Sequence, residues 1–420
     1  MGLARTLGVI AIIASLAPAA WGQQVADTEP PQGLMRWLNP STAPFIPIPE
    51  IDVDPNSGTT LGLIPTWLKT DEQGQIRQII APDVIHNPYF GNGLRGRMYS
   101  FTSDDTQWSV VAGAKQRVES EFDFEYETGR LRDSAWSFNA SAIYDRSGTP
   151  RFYGIGNSTH VADQSNYTFQ QMYVQALLAR NLSHELQVSY LLRARSADVQ
   201  PGTLNGIPSI FSRYGGIAGL GTSHETLNRL SVVYDSRDDT IVPSSGGRYV
   251  LYGGIAARQG VLNASLYSAT GIDVRQLWLI SPGNIIAAHA ALRYMPGKSE
   301  VPFWTLSNLG GDQSLPGEAQ PLRGFGSGRF YDRNSFSSSV EYRRRLSEFA
   351  AVSTCIALEI APFIDVGEVF AHAGTSPVSR LHHAGGIGFR GVASPFVVGY
   401  VDIGYGSEGV AAFTGINYPF

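Results

Sequence analysis

The chain of 420 residues contains 46 glycines, 19 tyrosines and 20 phenylalanines, and only 16% of its residues are charged. This composition is typical of strands joined by turns, and it fits a soluble β-sandwich or propeller as well as a membrane barrel. The net charge of −5 is spread without a basic block, which argues against nucleic-acid partners. The single cysteine, Cys355, cannot form an intramolecular disulfide, which excludes a disulfide-stapled scaffold.

The first residues have the pattern of an export signal. Arg5 precedes a short apolar run, and the small residues Ala20 and Gly22 follow it. We predict a signal peptide over residues 1–22. The run is too short to cross a membrane, and no later stretch approaches the roughly 18 apolar residues of a spanning helix. Any membrane span must therefore consist of strands.

A proline-rich segment follows the predicted signal. Its prolines include Pro40, Pro44, Pro47, Pro49 and Pro55. Proline lacks a backbone N–H group, so such a segment forms neither a regular helix nor a central strand. We expect residues 23–57 to be an extended periplasmic lead and residues 58–420 to form the folded domain.

The remaining chain shows the alternation of apolar and polar side chains that strands require. In the stretch 121–127, aromatic residues alternate with acidic ones, and in 184–195 Val188, Tyr190 and Leu192 alternate with Ser189 and Arg193. The alternation predicts one face in an apolar medium and one in water. A soluble sandwich would show the same pattern. We predict strands that begin near Thr59, Ile76, Gly93, Gln107, Glu121, Ala135, Asn166, His184, Glu225, Gly247, Leu266, Asn284, Ser335, Cys355, His382, Phe396 and Val410.

Three connections between predicted strands are long, and the end of the chain has its own pattern. The connections run over 146–165, 197–224 and 295–334, and long loops of outer-membrane barrels are usually extracellular. The chain ends in alternating apolar residues that include Tyr418 and Phe420. A terminal phenylalanine after such alternation resembles the C-terminal assembly signal of bacterial outer-membrane barrels.

The third long connection contains motifs in an order that resembles one family. Gly310-Gly311-Asp312 precedes Leu322-Arg323-Gly324-Phe325. The matching motifs elsewhere are Tyr234-Asp235-Ser236-Arg237-Asp238, Val340-Glu341-Tyr342, Phe363-Ile364-Asp365-Val366-Gly367 and Gly386-Ile387-Gly388-Phe389-Arg390. Together they resemble the BamA/TamA superfamily, or bacterial surface antigen family, whose inward loop carries Val-Arg-Gly-Phe or Val-Arg-Gly-Tyr. Leu322 stands where that family has valine.

The resemblance implies an all-β fold: a transmembrane antiparallel β-barrel of 16 strands with an inward-folded extracellular loop. It sends Arg323 into the lumen, where a guanidinium needs a fixed carboxylate. The implied loop lock consists of Arg323, Gly324, Phe325, Glu341 and Asp365. Asp365 is the first expected partner of Arg323 and Glu341 the second. Gly324 would let the backbone approach the barrel wall closely.

Motifs of catalysis and metal binding are not found in the sequence. His224-Glu225 is not followed by the second histidine of a zinc-protease motif, and neither a nucleophile elbow nor a Walker loop occurs. His382 and His383 are adjacent, so in a strand they face opposite sides and cannot share one ion. We therefore expect no enzyme activity, no metal and no cofactor.

The implied function is transfer at the outer membrane of a Gram-negative-type bacterium. Members of the resembled family insert or translocate proteins or lipids and receive clients through periplasmic POTRA modules. Residues 23–58 are too few for one such module, so we expect outer-membrane lipids, a client protein or lipid, and a separate periplasmic partner. A passive or gated channel narrowed by the inward loop is the alternative. A weakly paired first and last strand would favour transfer, whereas a channel needs a fully paired wall.

Overall fold

The computed structural model describes most of the chain beyond residue 44. The described residues are 45–54, 56–72, 75–260, 264–315, 317–351, 354–372, 374, 380–393, 397–416 and 418–420. The predicted signal peptide and residues 23–44 of the predicted lead lie outside them. The helices of these residues are short: Val161–Asp163 and Phe303–Thr305 are 3-10 helices, and Ile210–Arg213 is α-helical. None of the helices in the described part has the length and apolar character needed to cross a membrane.

Strands form nearly all of the regular structure. In chain order they are β1 (Ile46–Asp54), β2 (Gly58–Thr70), β3 (Ile76–Ile80), β4 (Asp83–Asn87), β5 (Gly91–Phe101), β6 (Thr106–Lys115), β7 (Ser120–Thr128), β8 (Trp136–Ser147), β9 (Arg151–Phe152), β10 (Ser165–Asn181), β11 (Leu186–Pro201), β12 (Gly221–Asp235), β13 (Gly246–Gly260), β14 (Ala264–Ser281), β15 (Asn284–Tyr294), β16 (Ser307–Leu309), β17 (Ala319–Gln320), β18 (Phe330–Asp332), β19 (Asn334–Ala351), β20 (Thr354–Phe370), β21 (His382–Ala393), β22 (Val397–Gly406) and β23 (Gly409–Ile416).

Twenty of these strands form one antiparallel sheet that returns to its start, because β1 pairs with both β2 and β23. β3 and β4 share one position between β2 and β5, and the two-residue β9 pairs only with β10. In the described part of the chain, the twenty strands therefore occupy eighteen positions around the ring, rather than the sixteen expected. Each of the seventeen predicted strand starts corresponds to a strand of the ring. The eighteenth position is β1.

Strand β1 lies inside the segment 23–57 that the sequence assigned to an extended lead. All nine of its residues are in register with β2, so the sheet begins at Ile46 rather than at residue 58. Proline is tolerated in an edge strand when the missing N–H group does not interrupt a ladder. Pro47 and Pro49 are two residues apart, so both withhold a donor from the same side of the strand. A high density of proline is therefore compatible with a strand at the boundary of the sheet.

The two faces of the wall carry the predicted alternation. Along β11, Val188, Tyr190 and Leu192 are exposed on the outer face, whereas Ser189 and Arg193 are buried on the inner one. Because successive strands run in opposite directions, the three long connections, 148–164, 202–220 and 295–333, all lie at the same end of the ring. The start of β1 and the end of β23 lie at the other end. This arrangement directs the third connection toward the lumen from the end that carries the long loops.

Candidate functional site

The connection 295–333 between β15 and β19 forms a small folded unit inside the ring, which we call the inward loop. Its strands β16, β17 and β18 make a three-stranded sheet. Leu322, Phe325 and Phe330 of the loop are buried together with Val369 of β20 and Ala384 of β21. The apolar side of the loop is thus packed on the inner wall and keeps the Leu322-Arg323-Gly324-Phe325 motif in place.

Arg323 is fully buried and contacts carboxylates from three strands. Its Nε and Nη2 donate to the two oxygens of Asp365, on β20, at 2.9 and 2.8 Å, and its backbone N–H donates to the same carboxylate at 2.9 Å. Its Nη1 donates to Glu341, on β19, at 3.1 Å and to Asp402, on β22, at 2.9 Å. The guanidinium also lies 3.6 Å from the ring centroid of Phe363. The structure therefore brings together all three charged residues of the predicted lock.

Two further arginines complete the buried charge cluster. Arg343 Nε donates to Glu341 at 2.5 Å. Arg390 lies 3.4 Å from Glu341 and also donates to Asp402. The cluster thus consists of three arginines and three carboxylates, and its formal charges balance. Such balance matters because a buried charge without a partner is strongly unfavourable.

The sequence did not identify Asp402, Arg343 or Arg390 as site residues. Asp402 stands between Val401 and Ile403 on β22, so a lone acidic residue in an otherwise apolar strand was the available signal. That signal indicates that the Asp402 side chain faces away from the apolar medium, but it does not identify the residue that pairs with it. Only the register of β19 to β22 brings the three residues to Arg323.

Glycines allow the loop backbone to lie directly against β22. A Cβ atom on Gly324 would lie 2.5 Å from the backbone nitrogen of Gly406. A Cβ atom on Gly404 would lie 1.7 Å from the carbonyl oxygen of Arg323. No side chain fits at either distance, so the close approach requires glycine on both the loop and the wall. Gly404 and Gly406 were not predicted as site residues.

Arg329 and Tyr400 also attach the inward loop near β22. Arg329 is buried, pairs with Glu408 at 2.7 Å and donates to the carbonyl oxygen of Thr159 at 2.8 Å. Tyr400 donates its hydroxyl proton to Asp312 at 2.5 Å. Burial raises the pKa of Asp312 to about 6, although the hydrogen bond from Tyr400 acts in the opposite direction. These contacts connect the loop to β22, to the β22–β23 turn and to the connection 148–164.

The last residues of the chain depart from the expected terminal strand. β23 ends at Ile416. Phe420 is buried inside the ring of strands, where its side chain stacks on His289 with 5.3 Å between the ring centroids. The guanidinium of Arg343 lies 3.8 Å from the ring centroid of Tyr418 and 5.8 Å from that of Phe420. Pro419 lacks an N–H group and cannot continue a ladder, which explains why the alternation ends before the terminus. The role of Tyr418 and Phe420 as an assembly signal stays a prediction.

The boundary between the first and last strands, which we call the seam, is weakly paired. Within the described residues, β1 shares one register pair with β23, between Val53 and Ala412. By contrast, β1 has nine register pairs with β2, and β22 has eight with β23. Among the described residues, most backbone groups along the facing edges of β1 and β23 therefore have no register partner across the seam.

Among the described residues, no group of histidine, cysteine, aspartate and glutamate side chains could hold a metal ion. His382 instead stacks on Phe330 at 3.9 Å and forms a 2.8 Å hydrogen bond with the carbonyl oxygen of Asn157. Its ring is therefore part of the packing of the inward loop.

The fold is similar to that of a solved BamA structure. BamA from Haemophilus ducreyi lacking POTRA domains 1–3 aligns with a TM-score of 0.51 at 12% identity, covering 84% of this chain and 75% of that one. CdiB from Acinetobacter baumannii aligns with a TM-score of 0.41 at 13% identity, covering 88% of this chain and 58% of that one. The likeness to BamA concerns the fold. A comparison with curated protein sequences gave no match.

The family is shown by the sequence itself. The Omp85 superfamily domain matches residues 106–399, which include β6 to β21, the first residues of β22 and the whole inward loop. The matched region also contains the arginine motif and the carboxylates Glu341 and Asp365. The chain is therefore an outer-membrane β-barrel of a Gram-negative bacterium that belongs to the Omp85 superfamily.

Proposed function

We propose that this barrel aids the insertion or translocation of proteins or lipids at the outer membrane. The observation that carries the proposal is the seam, where β1 and β23 share one register pair within the described residues. An exposed strand edge presents unpaired N–H and C=O groups that can pair with an incoming strand. In a membrane such groups are costly unless something pairs them, so the seam is the place where the wall opens most easily.

The inward loop supports the same proposal. Arg323 holds the loop against β19, β20 and β22, which are the strands just before the seam. A loop fixed there stiffens that part of the wall while the seam itself stays weakly paired. We propose that the lock keeps the last strands in register during transfer, and that a separate periplasmic partner delivers the client.

A passive or gated channel is the second candidate, and one observation favours it. The inward loop occupies the lumen and is attached by buried ion pairs, so it would narrow a pore. The two functions differ in what the wall must do. Transfer uses an opening between strands, whereas conduction uses only the lumen.

Depletion of the protein in its own bacterium, together with planar-bilayer conductance of the purified barrel, tests the proposal. We expect depletion to change the protein or lipid composition of the outer membrane before growth slows. We also expect the purified barrel to conduct little while Arg323 is intact. An unchanged outer membrane on depletion, combined with stable conductance of the intact barrel, would contradict transfer and favour the channel.

A further inference from the structure

A cavity of about 190 Å³ lies between the inward loop and the strands β11 to β15. Four arginines line it: Arg193 and Arg195 from β11, Arg229 from β12 and Arg293 from β15. Two carboxylates line it as well, Glu225 of β12 and Glu318 of the loop. The lining therefore carries two more positive than negative formal charges. This cavity, which we call the chamber, is separate from the charge cluster around Arg323.

The carboxylates of the chamber are already engaged by other groups. Glu225 accepts hydrogen bonds from Tyr267 and, at 3.2 Å, from Thr305. Arg193 lies 3.4 Å from Glu225 and also pairs with Glu318. Most of the negative charge is therefore committed to Arg193 and to hydroxyl donors.

Arg293 has no carboxylate of its own among the described residues. It is more than nine-tenths buried, and its Nη1 donates to the carbonyl oxygen of Thr305 at 2.9 Å. Its buried Nε has no hydrogen-bond partner in the described part of the chain. A desolvated guanidinium with an unused donor is unfavourable, and an anion within hydrogen-bond distance of it would remove that cost.

We propose that this chamber binds a small water-soluble phosphate, either inorganic phosphate or a phosphate monoester. The planar donor fork of Arg293 suits the oxygens of a phosphate, and Arg229 adds positive charge to the lining. A phosphate carries about −1.5 to −2 charges near neutral pH and so matches the excess positive charge. Leu227, Leu306 and Trp304 line the same cavity and offer apolar contact to the organic part of an ester.

The location of the chamber favours a soluble phosphate over the phosphate head group of a lipid. Strands β11 to β15 form long continuous ladders, so acyl chains cannot pass from the membrane through this part of the wall. The weakly paired boundary is at β1 and β23, which the chamber does not touch. The ligand must therefore arrive through the aqueous lumen.

Glu318 acts in this proposal as an internal competitor of the ligand. Burial raises the pKa of Glu318, but Arg193, Arg195 and Arg229 outweigh that effect and bring its pKa to about 2. Its carboxylate is thus ionised at neutral pH and neutralises part of the positive charge of these arginines. A phosphate that enters must share the arginines with Glu318, so removal of this charge should strengthen binding.

Calorimetric titration of the full-length barrel in a non-ionic detergent tests the site. The probes are inorganic phosphate, glycerol 3-phosphate and neutral glycerol at fixed, low ionic strength. We expect one saturable site for both phosphates and none for glycerol. Arg293→Gln should weaken phosphate binding about tenfold or more, since a charge-assisted hydrogen bond is lost. Glu318→Gln should tighten it several-fold.

Three controls keep the test decisive. Arg344→Gln, on the exposed face of β19, removes the same charge away from the chamber and should leave binding unchanged. Arg229→Gln repeats the test if Arg293→Gln does not fold, as judged by heat-dependent gel mobility. Phosphatidic acid in mixed micelles provides the lipid arm and should show no binding that depends on Arg293.

Absence of saturable phosphate binding, or equal losses in Arg293→Gln and Arg344→Gln, would overturn the site. Arg293-dependent binding of phosphatidic acid alone would overturn the choice of a soluble ligand. Weaker or unchanged binding in Glu318→Gln would overturn the competitor role. Each of these outcomes is independent of whether the seam transfers clients.

Discussion

Arg323 connects the inward loop to three strands of the wall through one side chain. Asp365 takes the paired donors of its guanidinium fork, while Glu341 and Asp402 share the remaining one. Arg343 and Arg390 balance the charge of these carboxylates, so the cluster stays neutral only with all six members present. Loss of any single member leaves an unbalanced charge in a buried place.

The substitution Arg323→Ala should therefore destabilise the barrel. Removing one member of a buried ion pair typically costs ~3–5 kcal/mol. We expect unfolding of the purified barrel in detergent at a lower temperature, measured by heat-dependent gel mobility, and a higher conductance if the freed loop leaves the lumen. Arg323→Lys should rescue only in part, because lysine lacks the planar fork. Arg344→Ala is the matched control, and an equal loss there would contradict the lock.

Coupling between the partners gives a second test of the lock. Asp365→Asn alone should act in the same direction as Arg323→Ala. The double variant should lose less stability than the sum of the two single variants, because both remove the same interaction. Strictly additive losses would show that Arg323 and Asp365 contribute independently of each other.

The close approach at Gly404 predicts a steric effect with an internal control. Gly404→Ala places a Cβ atom 1.7 Å from the carbonyl oxygen of Arg323, whereas Gly399 on the same strand has no neighbour within 4 Å of an added Cβ. We expect Gly404→Ala to lower stability by about 1–3 kcal/mol, the usual range for overpacking. Gly399→Ala should have little effect. Protease digestion of intact cells should cut the inward loop faster in Gly404→Ala, and equal cutting in both variants would argue against the contact.

At the residue level, the sequence predicted part of the site. The motif around Arg323 and the two acidic strand motifs identified Arg323, Asp365 and Glu341, because their order along the chain resembles one family. Asp402 and the arginines at 343 and 390 belong to strands whose register the sequence does not specify. Spatial neighbours from different strands could not be chosen without that register.

At the level of elements, alternation predicted seventeen strands and missed β1. The alternation signal is strong where one face meets an apolar medium and the other is polar, as in β11. In β1 the residues Pro47 and Pro49 hide the pattern, because proline is read as a strand breaker. At the other end of the chain, Pro419 was the signal that the last strand stops early. Proline is thus compatible with a strand at 46–54, whereas near the end of the chain it accompanies the end of a strand.

Amide exchange in detergent tests the assignment of β1. The N–H groups on one side of β1 face β2, with which all nine residues of β1 are in register. Those on the other side face the seam, where the described residues show one register pair. We expect protection of 46–54 to be intermediate: slower exchange than in the predicted lead before residue 45, and faster exchange than in β13. Protection equal to that of β13 would mean that the seam is fully paired.

The buried chain end predicts that Phe420 stabilises the folded barrel. Its ring packs with Leu277 and Ile285 and lies near Arg343. Phe420→Ala should cost up to about 3 kcal/mol, at the low end of the range for buried phenylalanines. Unfolding of the purified barrel measures this cost apart from any assembly defect in cells. Tyr405→Ala, at an exposed aromatic residue of β22, is the control. Equal stability of the two variants would contradict a role for the inward contact.

At the scale of the whole molecule, the wall combines a stiff part with a weak boundary. Strands β19 to β22 are joined by long ladders and by the charge cluster around Arg323. The seam lies one strand beyond this stiff part. A wall of this kind can open at one place without losing the rest of its ladder, which is what transfer between lumen and membrane requires.

A disulfide across the seam tests this account most directly. Val53 and Ala412 are register partners. Directly opposed antiparallel residues have Cα atoms about 4.5–5.5 Å apart, which suits a disulfide. The variant Val53→Cys/Ala412→Cys would be made in a Cys355→Ser background and would replace the only copy in the cell. The control is Leu251→Cys/Ile272→Cys, across the complete ladder between β13 and β14.

The measurement is the protein and lipid composition of the outer membrane with and without a reductant. The account predicts that the oxidised seam variant reproduces the effect of depletion, that reductant reverses it, and that the control pair has no effect. A locked seam with an outer membrane of normal composition, in cells where depletion does change it, would contradict transfer through the seam.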